Sequence, residues 1–355
     1  MDENSKSLND LRAAYARGEL TLYLGAGVSI GSGLPSWDKL VLAMYFIALD
    51  GDWEYRLKPY PNYLYSIAEW LLRNRNEPAG ITAQKVRQQY DNEIEFLQDL
   101  HDALYAGINV SSTPQQLRAA NPLLNRLAEI CGNSRVGGQG IQTVVTYNYD
   151  NLLEIATGNT RCPFFPEQRM SPTPEINRKQ VFHVHGYIPM VAVGSNLETH
   201  NIIFTEEQYH FAANDPYSWS NLCQIQCLSI SVGLMVGLSL SDPNIRRLLS
   251  ALKRTPLKKP CFALLKRPDR LSATDNDVAS ISDNAKSYFD KFPGAGIKPV
   301  LKSDAEIRAI LDLVNDADEK VHQETLEALG VIPIWYDRHE EVPGLIEMIQ
   351  KVDPS

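Results

Sequence analysis

Two hydrophobic periods share this chain of 355 residues. Compact apolar runs at 20–24, 142–147, 180–185, 201–204, 229–238, 261–265, 297–301 and 330–336 read as strands, being short and rich in aliphatic and β-branched residues. Elsewhere apolar residues recur at three- and four-residue intervals, predicting helices over 8–17, 244–253 and 305–314. The first of these should stop at Gly18, where a left-handed cap fits. After Pro35, Ser36 is placed as an N-cap and Asp38 lies in the first turn, ahead of Leu40, Val41, Met44, Ile47 and Ala48 at helical spacing. From about 51 to 135 the strand signal nearly vanishes, and 63–73, 94–105 and 122–131 predict helices. The aromatic stretch DWEYRLKPYPNYLY inside that region reads as packing between helices.

This order predicts an α/β fold, an open and mostly parallel Rossmann-like sheet with helices on both faces. It is expected to form one composite domain over 1–355. Residues 51–135 would be a helical insertion or lid within it, and 256–355 a C-terminal α/β part completing the sheet.

Composition narrows the picture. Apolar residues are 44% and charged residues 22%, an ordinary globular balance. A net charge of −9 argues against a broad basic face for nucleic acid, so no direct nucleic-acid binding is expected. No run approaches the roughly 18 apolar residues of a membrane span, and the polar start MDENSKSLND does not resemble a secretory signal. Five scattered cysteines read as reduced thiols, which suits a cytoplasmic protein. Cys223 and Cys227 share a helix face, but no second cysteine pair or nearby histidine pair accompanies them, so no metal site is read there.

The candidate chemistry begins in LYLGAGVSIGSGLPSWDKL, at 22–40. A strand, a glycine turn and a helix in that order can cradle phosphates: Gly25 and Gly27 allow close backbone approach, and free amides would supply donors. The dinucleotide fingerprint G-x-G-x-x-G fails because Ile30 stands at the third glycine, and no Gly-Lys-Ser/Thr of a P-loop follows. Asp50 is no ribose binder, because the residues before it have helical, not strand, periodicity. A purely structural turn stays open on the loop alone.

Further motifs give the loop company. Gly25-Ala26-Gly27-Val28-Ser29, with Gly33-Leu34-Pro35 and Trp37, is similar to the first NAD-binding motif of sirtuins. Thr146-Tyr147-Asn148-Tyr149-Asp150 resembles their Thr-x-Asn-x-Asp motif, His185-Gly186 their His-Gly, and Gly237-Leu238-Ser239, more loosely, their Gly-Thr-Ser. The paired Cys-x-x-Cys motifs of the sirtuin deacylases' zinc module are missing, and Trp37-Asp38 replaces the usual Phe-Arg. The segments IIFTEEQYH and GLSLSDPNIRRLL resemble bacterial sirtuin-like proteins of anti-phage defence, which hydrolyse NAD.

The resemblance implies an NAD glycohydrolase that depletes NAD when activated, with NAD as substrate and no metal. It makes Asn148 and His185 catalytic, and Gly25, Ala26, Gly27, Ser29, Pro35, Trp37, Asp150, Gly237 and Ser239 NAD-binding. Asn148 would hold the ribose hydroxyls or the attacking water, His185 would act as general base, and Asp150 would accept from the nicotinamide carboxamide. Taken singly, Asn and Asp after a strand are turn formers or caps, and Asp150 could cap the next helix. His183, two residues before His185, shares its strand face and is read as a buried partner. Asp242 and Pro243 fit a helix start. Silencing would need a homo-oligomer, the insertion, or a partner such as an ATPase or a nucleic-acid-sensing protein. Two other functions remain open: an NAD-dependent protein deacylase or ADP-ribosyltransferase, and a non-catalytic nucleotide-binding scaffold.

Overall fold

The computed structural model describes residues 3–49, 67, 70–71, 74, 77–134, 138–158, 164–167, 179–191, 202–254, 259–270, 273–291 and 304–351. Most of the helix expected at 63–73, the aromatic stretch before it, the strand expected at 297–301 and Cys162 lie outside these residues.

The chain divides into two compact units, one of residues 1–265 with 329–355, the other 266–328. The first holds a sheet of seven strands: β1 (Leu20–Leu24), β2 (Ile141–Thr146), β3 (Phe164–Glu167), β4 (Lys179–His183), β5 (Val232–Val236), β6 (Cys261–Lys266) and β7 (Val331–Tyr336). Their order is β3-β4-β2-β1-β5-β6-β7. The pairings β3–β4, β4–β2, β2–β1, β1–β5 and β5–β6 are all parallel. This is the α/β, Rossmann-like architecture that the alternation of strands and helices predicts. Every residue of β1 and β5 is buried, as expected where helices cover both faces of a parallel sheet.

Local chemistry explains the element ends. Helix α1 (Glu3–Arg17) buries Leu8, Leu11, Ala14 and Tyr15, spaced to share one face. Gly18, at φ +68°, ends it by donating its amide to Tyr15 O at 3.1 Å. The short α2 (Gly27–Ile30) follows β1, and α3 (Trp37–Leu49) begins after Ser36, whose Oγ accepts from the Lys39 amide at 3.5 Å.

Between 77 and 134 the described chain is helical: α4 (Ala79–Arg87), α5 (Glu93–Leu104), α6 (Pro114–Ala120) and α7 (Pro122–Gly132). Thr113 and Gln116 form a capping box on α6, and Asn121 caps α7 by accepting from Leu123 N and Leu124 N, each at 3.1 Å.

Further along come α8 (Leu152–Thr157), α9 (Glu206–Asn214), α10 (Trp219–Ile230) and α11 (Pro243–Leu252). Two strand expectations change here. Residues 202–204 pair with no strand; instead Ile203 N donates to His185 O at 2.9 Å, holding the segment against the turn after β4. The strand expected from 229 begins only at Val232. Ser229 and Ser231 give their hydroxyls to Ile225 O and Cys227 O, which extends α10 to Ile230. The second unit contains α12 (Asp275–Lys291) and most of α13 (Asp304–Leu329), the latter far longer than the expected 305–314. Arg267, Arg270 and Arg308 there pair with Glu319, Asp316 and Asp275. Helix α14 (Val342–Gln350) closes the chain in the first unit and packs on α1 and α7.

Candidate active site

Register brings the motifs together. Leu24 of β1 stands opposite Thr146 of β2 and Val236 of β5, and Thr146 stands opposite His183 of β4. The loops holding Gly25–Ser29, Tyr147–Asp150, His185–Gly186 and Gly237–Ser239 therefore leave four neighbouring strands at the same edge. That carboxyl edge is where open α/β sheets receive ligands.

The glycine loop is fastened on three sides. Gly25 N donates to Val236 O at 3.0 Å and Gly27 N to Gly237 O at 3.1 Å. A Cβ on Gly25 would lie 2.5 Å from Gly237 O, and one on Gly27 would lie 2.8 Å from Gly237 Cα. The close backbone approach these glycines permit is thus to the loop after β5. The Val28 and Ser29 amides are also committed, to Gly25 O and Ala26 O. This corrects the expectation of free amides at these positions: short turns within α2 and contacts to β5's exit consume them. From the start of α7, Asn121 Nδ2 donates to Val28 O at 2.8 Å and to Ser32 Oγ at 2.9 Å.

Asn148 joins this scaffold. Its Nδ2 donates to Gly25 O at 3.1 Å and Ser29 Oγ at 3.2 Å, while Ser29 Oγ donates to Asp150 Oδ2 at 2.8 Å. Gly25 O can only accept, so the amide nitrogen must face it and Oδ1 turns away, with no partner among the described residues. Asp150 is buried. Its other oxygen accepts from Leu152 N at 3.1 Å, so the carboxylate supports the start of α8 as well as Ser29. Burial raises its pKa, while the Ser29 hydroxyl and Leu152 amide pull the other way. Beneath these groups lies a cavity of about 10 Å³ lined by Ser29, Thr146, Asn148, Asp150 and Glu154, room for roughly one water.

His183 is fully buried. One ring nitrogen meets Glu154 Oε1 at 2.6 Å and the other meets Asn148 O at 3.1 Å. It fixes the Asn148 backbone from behind. His185 lies past the strand end in a turn closed by Gly186 N donating to His183 O, with Gly186 at φ +104°, where glycine is favoured. The His185 ring stands edge-on between Tyr147 and Tyr209, with centroids at 5.1 and 5.5 Å. The imidazole is half-buried, yet its Nε2 is sealed from solvent without a hydrogen bond. Burial lowers the His185 pKa, and the Asp242 carboxylate opposes that.

The other expected ligand contacts are more peripheral. Trp37 is 37% exposed and lies by the Tyr149 hydroxyl, which donates to Ile203 O at 2.6 Å. Pro35 is half-buried before α3. Gly237 needs its φ of +69°, and Ser239, exposed, pairs its hydroxyl with Ser241 at 2.7 Å. Leu240 follows, a buried leucine in the left-handed region.

The sequence did not single out Tyr209, Glu154 or Asn121. Tyr209 sits in the quoted IIFTEEQYH, but nothing in spacing ties it to a histidine on another strand. No group of three or more His, Cys, Asp or Glu among the described residues is arranged to hold a metal ion. Cys131, Cys223, Cys227 and Cys261 are buried and form no disulfide among the described residues.

With this geometry in place, residues 142–288 match the family model described as a SIR2-like domain. The match begins in β2 and takes in Asn148, Asp150, His185 and Gly237, while the glycine loop on β1 precedes it. No curated protein matches the chain. A match to a SIR2-like domain is compatible with a sirtuin-type, NAD-related role. No helix among the described residues is long and apolar enough to cross a membrane.

Proposed function

We propose that the chain is an NAD glycohydrolase, cleaving the nicotinamide–ribose bond to give nicotinamide and ADP-ribose. The observation that carries this reading is one of register: Asn148 and His185 each stand two residues beyond the paired positions Thr146 and His183. Asn148, whose Oδ1 has no hydrogen bond among the described residues, and the His185 imidazole are thereby brought to the same edge of the sheet.

In this reading the ribose gains positive charge as nicotinamide departs. Asn148 Oδ1 accepts from the attacking water or a ribose hydroxyl, and its partial negative charge faces the developing cation. The water oxygen bonds to the anomeric carbon as the carbon–nitrogen bond breaks. That bond's electron pair leaves with nicotinamide, which loses its positive charge, and the water proton passes to His185. A low imidazole pKa keeps His185 neutral and able to take that proton near neutrality.

As part of the proposal, the enzyme is a bacterial anti-phage effector in the cytoplasm, held silent until assembly of copies or a protein partner triggers it. The test is chromatographic analysis of NAD incubated with the purified protein, alone, with acylated peptide, and with candidate partners. Nicotinamide and ADP-ribose without peptide are the expected result. A requirement for acylated peptide would instead establish a deacylase, and binding without turnover under every condition would establish a scaffold.

A further inference from the structure

We propose that Asp242, acting through the Tyr209 hydroxyl, is the positioning carboxylate of His185, holding the imidazole so that Nδ1 faces the ligand. This rests on the reading of His185 as a base given above.

The case starts from two buried atoms. His185 Nε2 and Tyr209 Oη are both sealed from solvent, and neither has a hydrogen-bond partner. A buried polar group left unbonded carries its full desolvation penalty, so two of them on edge-to-face rings, 5.5 Å apart at their centroids, call for a shared explanation. The ring is only half-buried while Nε2 is closed off, which leaves Nδ1 as the nitrogen a ligand can meet.

Asp242 supplies the missing third member. It is the N-cap of α11, and one oxygen, Oδ1, does the capping alone, accepting from Asn244 N at 2.7 Å and Ile245 N at 3.1 Å. The carboxylate is anchored by that cap and lies beside the Tyr209 hydroxyl, short of a formed bond. A small closing motion would let Nε2–H donate to Tyr209 Oη and the Tyr209 hydroxyl donate to Asp242, satisfying both orphans in one chain. The tautomer is then fixed with its lone pair on Nδ1, the arrangement a general base needs from its orienting partner. No residue of helix α9, which carries Tyr209, is fully buried, and its carboxyl end is held by Asn221 Nδ2 donating to Ala212 O at 2.6 Å.

The groups facing His185 are Tyr147 from the exit of β2, Tyr209 from α9 and Asp242 from the start of α11. Its own strand contributes His183, which is turned away to Glu154. Tyr147 is itself tied down, its hydroxyl donating to Gln224 Oε1 at 2.7 Å. Among the described residues Asp242 is the one charged group bearing on His185, and it favours the protonated ring.

The test is the titration of His185 followed by NMR on the full chain with labelled histidines, its signal assigned by loss in His185→Gln. Asparagine caps helices as well as aspartate, so Asp242→Asn should keep the fold, and Asp242→Ser is the second capping variant. Both should move the His185 midpoint to lower pH, Tyr209→Phe should move it the same way by less, and each should reduce nicotinamide release through kcat with KM nearly unchanged. An unchanged His185 midpoint in both Asp242 variants overturns the proposal. A shifted midpoint in proteins that never consume NAD upholds the pairing and sinks the glycohydrolase reading, whereas full turnover with no shift does the reverse.

Discussion

The two halves of the candidate site are built to different rules. Around the glycine loop nearly every polar group is spent: Asn148 on Gly25 and Ser29, Ser29 on Asp150, Asp150 on α8, and the loop amides on β1's and β5's exits. Around His185 the opposite holds, with Nε2 and the Tyr209 hydroxyl buried and unbonded. The first half behaves as a scaffold whose geometry is over-determined. The second keeps bonding capacity in reserve, which is how a reacting group must be left. Substitutions in the two halves should therefore separate cleanly, one moving stability and rate together, the other rate alone.

The largest effect is expected in the second half. His185→Ala should lower nicotinamide release by about 10²–10⁴, the range for loss of a general base. Its circular dichroism and denaturation midpoint should stay near those of the parent, because no hydrogen bond of that side chain is lost. A variant that retains full turnover would remove His185 from the mechanism.

Asn148→Ala comes next and should show the mixed signature. Losing the outward amide oxygen should slow turnover by about 10²–10³, as for removal of one transition-state hydrogen-bonding group. Losing the bonds to Gly25 and Ser29 should also cost about 1–3 kcal/mol of stability, read by urea unfolding. Activity loss with unchanged stability would show that the Gly25 and Ser29 bonds add nothing to the fold.

How much of this was legible in the residues differs between the halves as well. The strand at 20–24, the glycine turn and the helix after Ser36 are local features, and their apolar spacing and cap residues spell them out. Asp242 and Pro243 likewise announced the start of α11. What stayed hidden is tertiary. His183 finds Glu154 across 29 residues, Asn121 reaches Val28 across 93, and Tyr209 meets His185 only because the chain after 201 folds back over β4's turn. The glycines were legible as places of close approach, but what approaches them is Gly237, which no local pattern specifies.

That close approach gives a third prediction, confined to the scaffold half. Gly237→Ala places a Cβ 2.7 Å from Val28 N and asks an L-residue to hold φ +69°. The left-handed backbone alone costs about 1–2 kcal/mol, and the clash adds to it. The variant should unfold at clearly lower urea, and any loss of NAD turnover should follow the loss of folded protein. Normal stability in Gly237→Ala would mean the loops after β1 and β5 are not held as tightly as their hydrogen bonds indicate.

The smallest effect is a matter of pH, and its sign follows from burial. In the folded chain the His185 pKa is lowered, chiefly by desolvation and against the pull of Asp242. The unfolded chain then binds a proton at higher pH than the folded one, so between those two values the unfolded state carries more protons. Stability rises with pH across that window and is lost as pH falls from about 6.5, the ordinary imidazole value, toward the lowered one. Other groups titrate there too, so the comparison that isolates the term is wild type against His185→Gln. The gap between their urea midpoints should be constant above neutrality, move against the wild type as the pH drops below about 6.5, and level off beneath the folded pKa. Asn148→Ala, whose side chain does not titrate, should show no such divergence. A wild-type profile that runs parallel to His185→Gln through the whole window would mean that His185 is as well solvated as a surface imidazole, and the contrast between the two halves of the site would collapse.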